Sequence, residues 1–336
     1  MEKRPLGQTG LMVSSIGLGG IPFQRIDAEG TRDILARALE LGINFIDTAR
    51  GYTVSEQYIG HGLKQLGRER FIVATKSMKR DRQGILEELA ISLSELDTDY
   101  IDLYQFHNVA NFSEYETLMS PEGGYQAIRE KQAEGVIRHI GISTHSVDLL
   151  TRFVADGHFS TIQFPYNPME RQAEEVFRQA HEKNIGIIVM KPFAGGAIMN
   201  KELSLRTILE NDAVSVVIPG VDSIEQVEQN IAIASPLIPL SDDERSIMQS
   251  EADELGSHFC RRCRYCLPCA VEIDIPMIFL MEGYYTRYHL TEWVDERYAG
   301  FAKKAKDCIE CGICESRCPY HLPIREMMKR ASAVLD

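Results

Sequence analysis

The stretch Asn44-Phe-Ile-Asp-Thr-Ala-Arg-Gly-Tyr52 holds the end of a short apolar strand and the polar loop that follows it. Asp47 stands where the strand ends, and Tyr52 lies a few residues into the loop. Alone, this pair is equally well explained by a solvated strand cap and a loop tyrosine that covers a neighbour. The next two apolar stretches favour a site instead, because one ends on Lys76 and the other on His107. Three successive strands thus end on ionisable side chains, and the carboxyl ends of strands in a parallel barrel share one mouth.

Apolar stretches of strand length alternate regularly with stretches of helical periodicity on both sides of this segment. The pattern predicts strands over residues 15–20, 43–47, 70–76, 100–107, 136–142, 161–164, 185–190 and 213–218. It predicts helices over residues 31–41, 55–65, 82–96, 120–134, 146–155, 170–183, 201–211 and 223–233. Short strands that are apolar on both faces are typical of a parallel sheet. Eight strand–helix units therefore predict an α/β fold, a (β/α)8 TIM barrel, whereas an open doubly wound sheet has no evident place for eight even units.

Glycines punctuate the start of the chain. Turn glycines between apolar residues over 4–13 suit a hairpin ahead of the barrel. Gly17, Gly19 and Gly20 lack the spacing of a dinucleotide-binding fingerprint, so close packing at a barrel strand explains them better.

Length and charge limit the domain count and the classes of partner. The 336 residues suffice for a large domain and a smaller one, which we place at residues 1–245 and 246–336. Ser241 has the position of a helix N-cap near that boundary. A net charge of −13 disfavours nucleic acid and anionic membranes as partners. No apolar run has the length of a membrane helix, and residues 1–8 lack the apolar core of a signal peptide, so we expect a cytoplasmic protein.

All eight cysteines lie between Cys260 and Cys318, in two tight groups of four. This confinement is unlike a secreted disulfide scaffold and indicates metal binding. One run, Cys308-x2-Cys311-x2-Cys314-x3-Cys318-Pro319, has the spacing of bacterial [4Fe–4S] ferredoxins, in which the fourth cysteine serves the other cluster. The other run is Cys260-x2-Cys263-x2-Cys266-x2-Cys269. Zinc is the alternative ligand, although three cysteines at successive two-residue gaps suit a cubane better.

The four polar residues of the predicted mouth have the side-chain types that carbonyl reduction needs. A carbonyl oxygen that develops negative charge must receive a proton. A phenol such as Tyr52 becomes a better donor when an ammonium such as Lys76 lowers its pKa. A carboxylate such as Asp47 would keep that ammonium charged and in place, and His107 could orient the carbonyl by a hydrogen bond.

The chain resembles the aldo-keto reductase family over about residues 3–240. Several segments carry the resemblance. They are Arg4 to Ser14, Phe45-Ile-Asp-Thr-Ala49 with Tyr52, Glu56 to Gly60, Thr75-Lys76, Gln105-Phe-His107, Ile137 to Ser143, Gln163 with Tyr166-Asn167-Pro168, and Ile218-Pro-Gly220. The resemblance implies a catalytic tetrad of Asp47, Tyr52, Lys76 and His107, with the tyrosine as general acid.

The resemblance also implies a nicotinamide cofactor, NADH or NADPH, and a small carbonyl or alcohol substrate. Its implied contacts are Ser143, Thr144, Gln163, Met190, Pro219, Gly220, Gln229 and Asn230. Two positions depart from the family pattern, since Thr144 replaces an asparagine and Met190 replaces a tyrosine that stacks on the nicotinamide. The loop over 220–223 lacks basic residues for a 2′-phosphate and contains Asp222, so NADH is at least as well supported as NADPH.

Residues 270–307 between the cysteine runs have helical character, with Trp293 and several tyrosines. The module therefore resembles an all-helical ferredoxin, and the whole chain resembles the aldo-keto reductases that carry such a C-terminal module. By analogy, Cys260, Cys263, Cys266 and Cys318 would hold one [4Fe–4S] cluster. The second would be held by Cys269, Cys308, Cys311 and Cys314.

Two functions follow. The first is an NAD(P)H-dependent oxidoreductase in which two clusters exchange electrons with a partner protein, sense redox state, or build the domain. The second is a redox-sensing or electron-transfer iron–sulfur protein that uses the barrel as a binding scaffold.

Overall fold

The computed structural model describes all residues, 1–336, and they form two compact units. The first unit comprises residues 1–167, 171–192 and 202–240. The second comprises residues 168–170, 193–201 and 241–336. No helix is both long and apolar enough to cross a membrane.

The first unit begins with the predicted hairpin, an antiparallel pair of strands β1 (Lys3–Pro5) and β2 (Met12–Ser14). A parallel sheet of eight strands follows. Its strands are β3 (Leu18–Gly19), β4 (Phe45–Asp47), β5 (Ile72–Ser77), β6 (Ile101–Phe106), β7 (Ile137–Ser143), β8 (Thr161–Pro165), β9 (Gly186–Met190) and β10 (Val216–Val217). Parallel bridges from Ile16 to Val217 and from Gly19 to Gly220 join the last strand to the first. The sheet therefore has the closed order of a (β/α)8 barrel, as the alternation predicts.

Nine helices accompany these strands. They are α1 (Ala28–Glu40), α2 (Ser55–Leu66), α3 (Arg82–Glu95), α4 (Phe112–Met119), α5 (Gly124–Ala133), α6 (Val147–Asp156), α7 (Glu174–Glu182), α8 (Lys201–Leu209) and α9 (Ile224–Ala234). The helix predicted over 120–134 is shorter and begins only at Gly124, because Pro121 and two glycines interrupt the helical pattern. The chain before that break forms α4, which Asn111 caps by accepting a hydrogen bond from the Glu114 amide.

Residues two apart on a strand face the same side of the sheet. Inside the barrel, this two-residue repeat places a layer of polar side chains above a layer of apolar ones. Phe45, Ala74 and Leu103 form one buried cluster with Leu6 and Val13 of the hairpin. Two residues further along each strand stand the polar side chains of Asp47, Lys76 and Gln105. The apolar layer thus supports a polar layer nearer the carboxyl ends of the strands.

Gly19 shows why a barrel strand needs a glycine at this point. A Cβ atom there would lie 2.8 Å from the Ile218 carbonyl oxygen and 3.0 Å from that of Pro219. The amide of Gly19 donates to the Pro219 carbonyl at 2.9 Å. Close packing, as the sequence suggested, explains this glycine.

The second unit is helical around its cysteine loops. Its helices over 241–336 are α10 (Asp242–Gly256), α11 (Ile275–Thr286), α12 (Thr291–Ala299), α13 (Ile313–Ser316) and α14 (Ile324–Leu335). Ser241 caps α10 as predicted, and Glu244 completes a capping box with it. The core is a cluster of buried apolar residues that includes Ile278, Val294 and Met328, with Trp293 packed against it.

Candidate active site and cysteine cavities

Asp47 and Lys76 meet inside the barrel at the carboxyl ends of β4 and β5. Lys76 Nζ lies 2.5 Å from Asp47 Oδ1 and donates to the Thr48 carbonyl at 2.9 Å. The lysine is 1% exposed and the aspartate 2%. Burial lowers the pKa of the Lys76 ammonium, whereas the Asp47 carboxylate opposes that lowering by favouring the charged form. The pair is a buried cation with its counter-ion rather than a surface salt bridge.

Tyr52 and His107 lie beside this ion pair. Lys76 Nζ is 5.0 Å from the centroid of the Tyr52 ring. The rings of Tyr52 and His107 meet edge to face, with centroids 5.9 Å apart. Burial lowers the pKa of His107 well below its ordinary value of 6.5, and the nearby charges of Lys76, Arg80 and Lys191 lower it further. The imidazole is therefore neutral at physiological pH.

The loop that carries Tyr52 is anchored by a second buried ion pair. Arg50 pairs with Glu56 and also with Glu95, whose Oε2 lies 2.6 Å from the guanidinium. Thr75 donates to Glu56 Oε1 at 2.5 Å. Burial raises the pKa of Glu56, while Thr75 and Arg50 favour its charged form. These contacts fix the loop to β5 and α3, and so position the phenol.

Three polar atoms without a hydrogen-bond partner lie on Gln105, Gln163 and His107. Gln105 Nε2 donates to Asp47 Oδ2 at 3.0 Å, and Gln163 Nε2 donates to Asp47 Oδ1 at 3.3 Å. The carbonyl oxygens of both glutamines and Nδ1 of His107 are buried and unpaired. Because buried polar atoms are nearly always satisfied, such a group of unpaired atoms at a barrel mouth indicates a site for a polar ligand.

The second unit gathers its eight thiols around two cavities. Cys260, Cys263, Cys266 and Cys318 line the first thiol cavity. Cys269, Cys308, Cys311 and Cys314 line the second thiol cavity. Each cavity takes three cysteines from one run and one from the other, which is the grouping expected by analogy with bacterial ferredoxins. Ile275 contributes to both walls and lies between the two groups.

Each thiol cavity has the ligand set of a [4Fe–4S] cluster. Four cysteines line each enclosed space, and a cubane takes four thiolate ligands. Arg262, Arg264 and Glu310 between the cysteines have left-handed backbones, with φ of 59°, 68° and 54°. Strain of this kind concentrates at ligand-binding loops. Burial also raises the pKa of Cys260 to about 11 and that of Cys266 to about 12, so a bound cation would be needed to keep them as thiolates.

Comparison with known proteins agrees with this geometry. The model of the aldo/keto reductase family matches residues 15–207. The chain belongs to the aldo/keto reductase family. A second model, that of a 4Fe-4S dicluster domain, matches residues 259–323 and includes all eight cysteines.

Relatives of this aldo/keto reductase cover about three quarters of the chain. The L-galactose dehydrogenase of Arabidopsis thaliana is 28% identical over 75% of this chain and 94% of its own length. The NADH-specific methylglyoxal reductase of Escherichia coli is 28% identical over 76% of this chain and 99% of its own. A solved aldo-keto reductase from Bacillus halodurans, in its holo form, superposes with a TM-score of 0.65 at 29% identity, covering 75% of this chain and 96% of that one.

The residues predicted to hold the nicotinamide lie at the mouth of the reductase barrel, but their side chains differ in hydrogen-bond partners and in burial. Ser143 Oγ accepts from the Asn108 amide at 2.8 Å, next to His107. The Thr144 hydroxyl instead donates to the Val109 carbonyl at 2.8 Å and accepts from the Ser146 amide. Met190 ends β9 and is half-buried. The hydroxyl of Thr144 is therefore used within its own loop.

The residues predicted to hold the rest of the nucleotide follow β10. Pro219 is buried and Gly220 is exposed. Gln229 and Asn230 are neighbours on α9, yet the first is exposed and the second buried, because successive helical residues point about 100° apart. Asp222 is paired with Arg25, whose Nη2 lies 2.6 Å from Asp222 Oδ2. A basic residue therefore stands at this loop, although the loop sequence itself has none.

Sequence reasoning missed three further residues at the mouth of the reductase. Arg80 donates to the carbonyl of His107 at 2.8 Å and holds the loop after β6. Lys191 Nζ lies 3.3 Å from His145 Nε2, and His145 Nδ1 lies 2.9 Å from Asn108 Oδ1. Lys191 directly follows β9. It is therefore an ionisable residue at the end of a strand, as Lys76 is, and the same reasoning would have identified it. The contact with His145 joins two loops that are 46 residues apart, and no local pattern indicates it.

Proposed function

We propose that the protein is an NAD(P)H-dependent carbonyl reductase, or an alcohol dehydrogenase in the reverse direction, with Tyr52 as its general acid. The observation that carries the proposal is the position of Lys76, whose ammonium lies 2.5 Å from Asp47 Oδ1 and 5.0 Å from the Tyr52 ring centroid. A cation held at this distance stabilises the phenolate and so favours proton release from the phenol.

Each residue of the tetrad has one role in this proposal. Tyr52 gives its proton to the carbonyl oxygen as negative charge develops there. Lys76 stabilises the phenolate that results, and Asp47 keeps the lysine charged. His107, held neutral by its surroundings, orients the carbonyl by a hydrogen bond. The reduced nicotinamide supplies the hydride.

The residues of the mouth fit a nicotinamide nucleotide. The unpaired carbonyl oxygen of Gln163 offers an acceptor for the amide group of a nicotinamide, and Ser143 lies on the neighbouring strand. Pro219, Gly220, Gln229 and Asn230 are the proposed contacts to the rest of the nucleotide, and Thr144 and Met190 contribute to its nicotinamide end. The carboxylate of Asp222 would repel the 2′-phosphate of NADPH, and it already pairs with Arg25, the nearby cation that could bind that phosphate. The loop therefore favours NADH.

We also propose two [4Fe–4S] clusters, one in each thiol cavity. Eight thiols in two groups of four supply the ligands of two cubanes, and the clusters supply one-electron chemistry. Anaerobic purification should yield about eight iron and about eight acid-labile sulfide per chain. Zinc without sulfide would contradict this assignment.

The experiment that tests the reductase is nicotinamide oxidation with a panel of aldehydes and ketones. We expect Tyr52→Phe to reduce kcat by about 100-fold or more, which is the scale of general acid catalysis. Tyr58→Phe, which removes a hydroxyl six residues further along, is the matched control. Equal activity of Tyr52→Phe and the wild type would exclude the role of Tyr52.

The alternative, an iron–sulfur electron-transfer or sensor protein with the barrel as a scaffold, gains support from Thr144, whose hydroxyl is engaged by Val109. A titration with NADH and NADPH separates the two functions. Failure to bind either nucleotide at millimolar concentration would favour the scaffold.

A further inference from the structure

Arg261 places a buried cation in the wall of the first thiol cavity. The residue lies between Cys260 and Cys263 in the chain and lines the cavity together with Tyr320. Only 9% of it is exposed. Because a buried charge is costly unless its surroundings compensate it, the burial of this guanidinium calls for a compensating partner.

The hydrogen bonds of Arg261 orient its guanidinium without neutralising it. Nε and Nη2 donate to the Met169 carbonyl, which belongs to the same unit, at 3.4 and 3.3 Å. Nη1 donates to the carbonyls of Gly256 and Phe259 at 3.1 and 3.4 Å. The guanidinium carbon also lies 4.1 Å from the centroid of the Tyr320 ring. All four partners are neutral groups, so the full positive charge stays at the cavity wall.

The two other arginines of this loop are each paired with a carboxylate. Arg264 also lines the first thiol cavity, and its Nη1 lies 3.2 Å from Asp274 Oδ2. Arg262 lies 3.6 Å from the buried carboxylate of Glu170. Of the three, Arg261 is therefore the arginine whose hydrogen bonds all go to backbone carbonyls, and its charge is the one that remains to balance a negative group inside the cavity.

We infer that Arg261 supplies the counter-charge of the [4Fe–4S] cluster in the first thiol cavity and raises the reduction potential of that cluster. The inference rests on the two proposed clusters and assigns one of them a residue that tunes it. Reduction by one electron adds a negative charge to a group that already has four thiolate ligands. A fixed cation stabilises the reduced form more than the oxidised form, and a buried pair of charges is little screened by salt.

Burial of the cavity acts in the opposite direction. Cys266 and Cys318 are both buried, and a low dielectric disfavours an added charge. The guanidinium of Arg261 offsets this effect, because it is fixed at the wall of the same cavity.

The experiment is an anaerobic titration of the iron-loaded full chain with dithionite, followed by electron paramagnetic resonance. We expect Arg261→Gln, which keeps an amide donor but no charge, to lower one of the two midpoint potentials by about 59 mV, equivalent to about tenfold in the reduction equilibrium. Arg261→Lys keeps the charge and should retain most of the wild-type potential. Arg264→Gln is the matched control, since it removes a guanidinium from the same cavity that Asp274 already pairs, and it should change the potential much less.

Iron content is measured for each variant, because Arg261 also holds backbone carbonyls together. Loss of about four of the eight iron atoms in Arg261→Gln but not in Arg261→Lys would support the counter-charge directly. The same loss in both variants would assign Arg261 a structural role and overturn the inference.

An unchanged midpoint potential in fully loaded Arg261→Gln would also overturn it, as would an equal shift in Arg264→Gln. Wild-type protein without iron and sulfide would contradict the clusters themselves, and this result is read before any variant is compared.

Discussion

Lys76 Nζ lies 2.5 Å from Asp47 Oδ1 in the interior of the barrel, where neither residue is more than 2% exposed. A pair buried this deeply is costly to break, because removal of one partner leaves an uncompensated charge. Replacement of both partners of a buried pair by neutral groups, by contrast, often leaves stability unchanged. Its position beside Tyr52 supports the catalytic role that we propose for the pair.

The buried pair of Asp47 and Lys76 predicts that substitutions in it will affect stability and activity differently. Lys76→Met should destabilise the barrel by about 3 to 5 kcal/mol, because Asp47 loses its partner. The double variant Asp47→Asn/Lys76→Met should recover much of that stability but none of the activity. Urea unfolding and nicotinamide oxidation measure the two quantities. A double variant as unstable as Lys76→Met would show that the buried charge is not the cause.

The buried, neutral imidazole of His107 should make the folded protein less stable in acid. Its pKa in the folded protein lies well below 6.5, so the unfolded chain binds a proton that the folded chain does not as the pH falls below that value. Stability should therefore fall with pH by at most about 1.4 kcal/mol per unit from this group. His107→Gln should show a smaller loss between about pH 6.5 and pH 5 than the wild type, while His61→Gln, at a partly exposed position of α2, serves as control. Parallel curves for His107→Gln and the wild type would contradict the neutral buried imidazole.

The thiol cavities predict which cysteines share a cluster. Cys318 lines the first thiol cavity with Cys260, although it follows Cys308 in sequence. Cys318→Ala should lower the iron content from about eight toward about four. The double variant Cys260→Ala/Cys318→Ala should lose no more iron than either single variant, whereas Cys308→Ala/Cys318→Ala should lose nearly all. The opposite order of the two double variants would show that each run binds its own cluster.

The pair formed by Arg25 and Asp222 predicts how nucleotide preference can be changed. Asp222→Ser removes the carboxylate that is paired with Arg25 and that would repel a 2′-phosphate. We expect kcat/KM for NADPH to rise by about tenfold, equivalent to about 1.4 kcal/mol, with a smaller change for NADH. Asp212→Ser, an exposed site in the loop before β10, is the matched control. An unchanged ratio of the two nucleotides would place the ribose elsewhere.

Much of this site could be predicted from the sequence because its residues lie at the carboxyl ends of strands. Asp47, Lys76 and His107 each follow a short apolar stretch, and the common mouth of a parallel barrel brings such residues together without knowledge of any contact. The placement of Cys318 in one cavity with the first cysteine run was expected by analogy with bacterial ferredoxins. Helix α4 was missed because its signal, Asn111 followed by Glu114, lies inside a stretch with no clear apolar periodicity.

The remaining features depend on contacts between distant loops. Arg25 and Asp222 are nearly 200 residues apart, and each alone is an ordinary charged loop residue. The sequence alone does not indicate a role for His145, whereas the structure places its imidazole against Lys191. Nothing in the local sequence of either residue indicates its partner, since the geometry of several strands determines which loops meet.

Transfer of deuterium from the nicotinamide to the substrate tests the central claim most directly. The iron-loaded protein is given a reducible aldehyde and NADH with deuterium at both C4 positions, in ordinary water, and the alcohol is examined by mass spectrometry. Direct hydride transfer at the Tyr52 site predicts one deuterium on the former carbonyl carbon of every product molecule, at a rate that Tyr52→Phe reduces without altering the label. An alcohol whose new carbon-bound hydrogen comes from water would show that the electrons take another route, through the clusters, and would contradict the account.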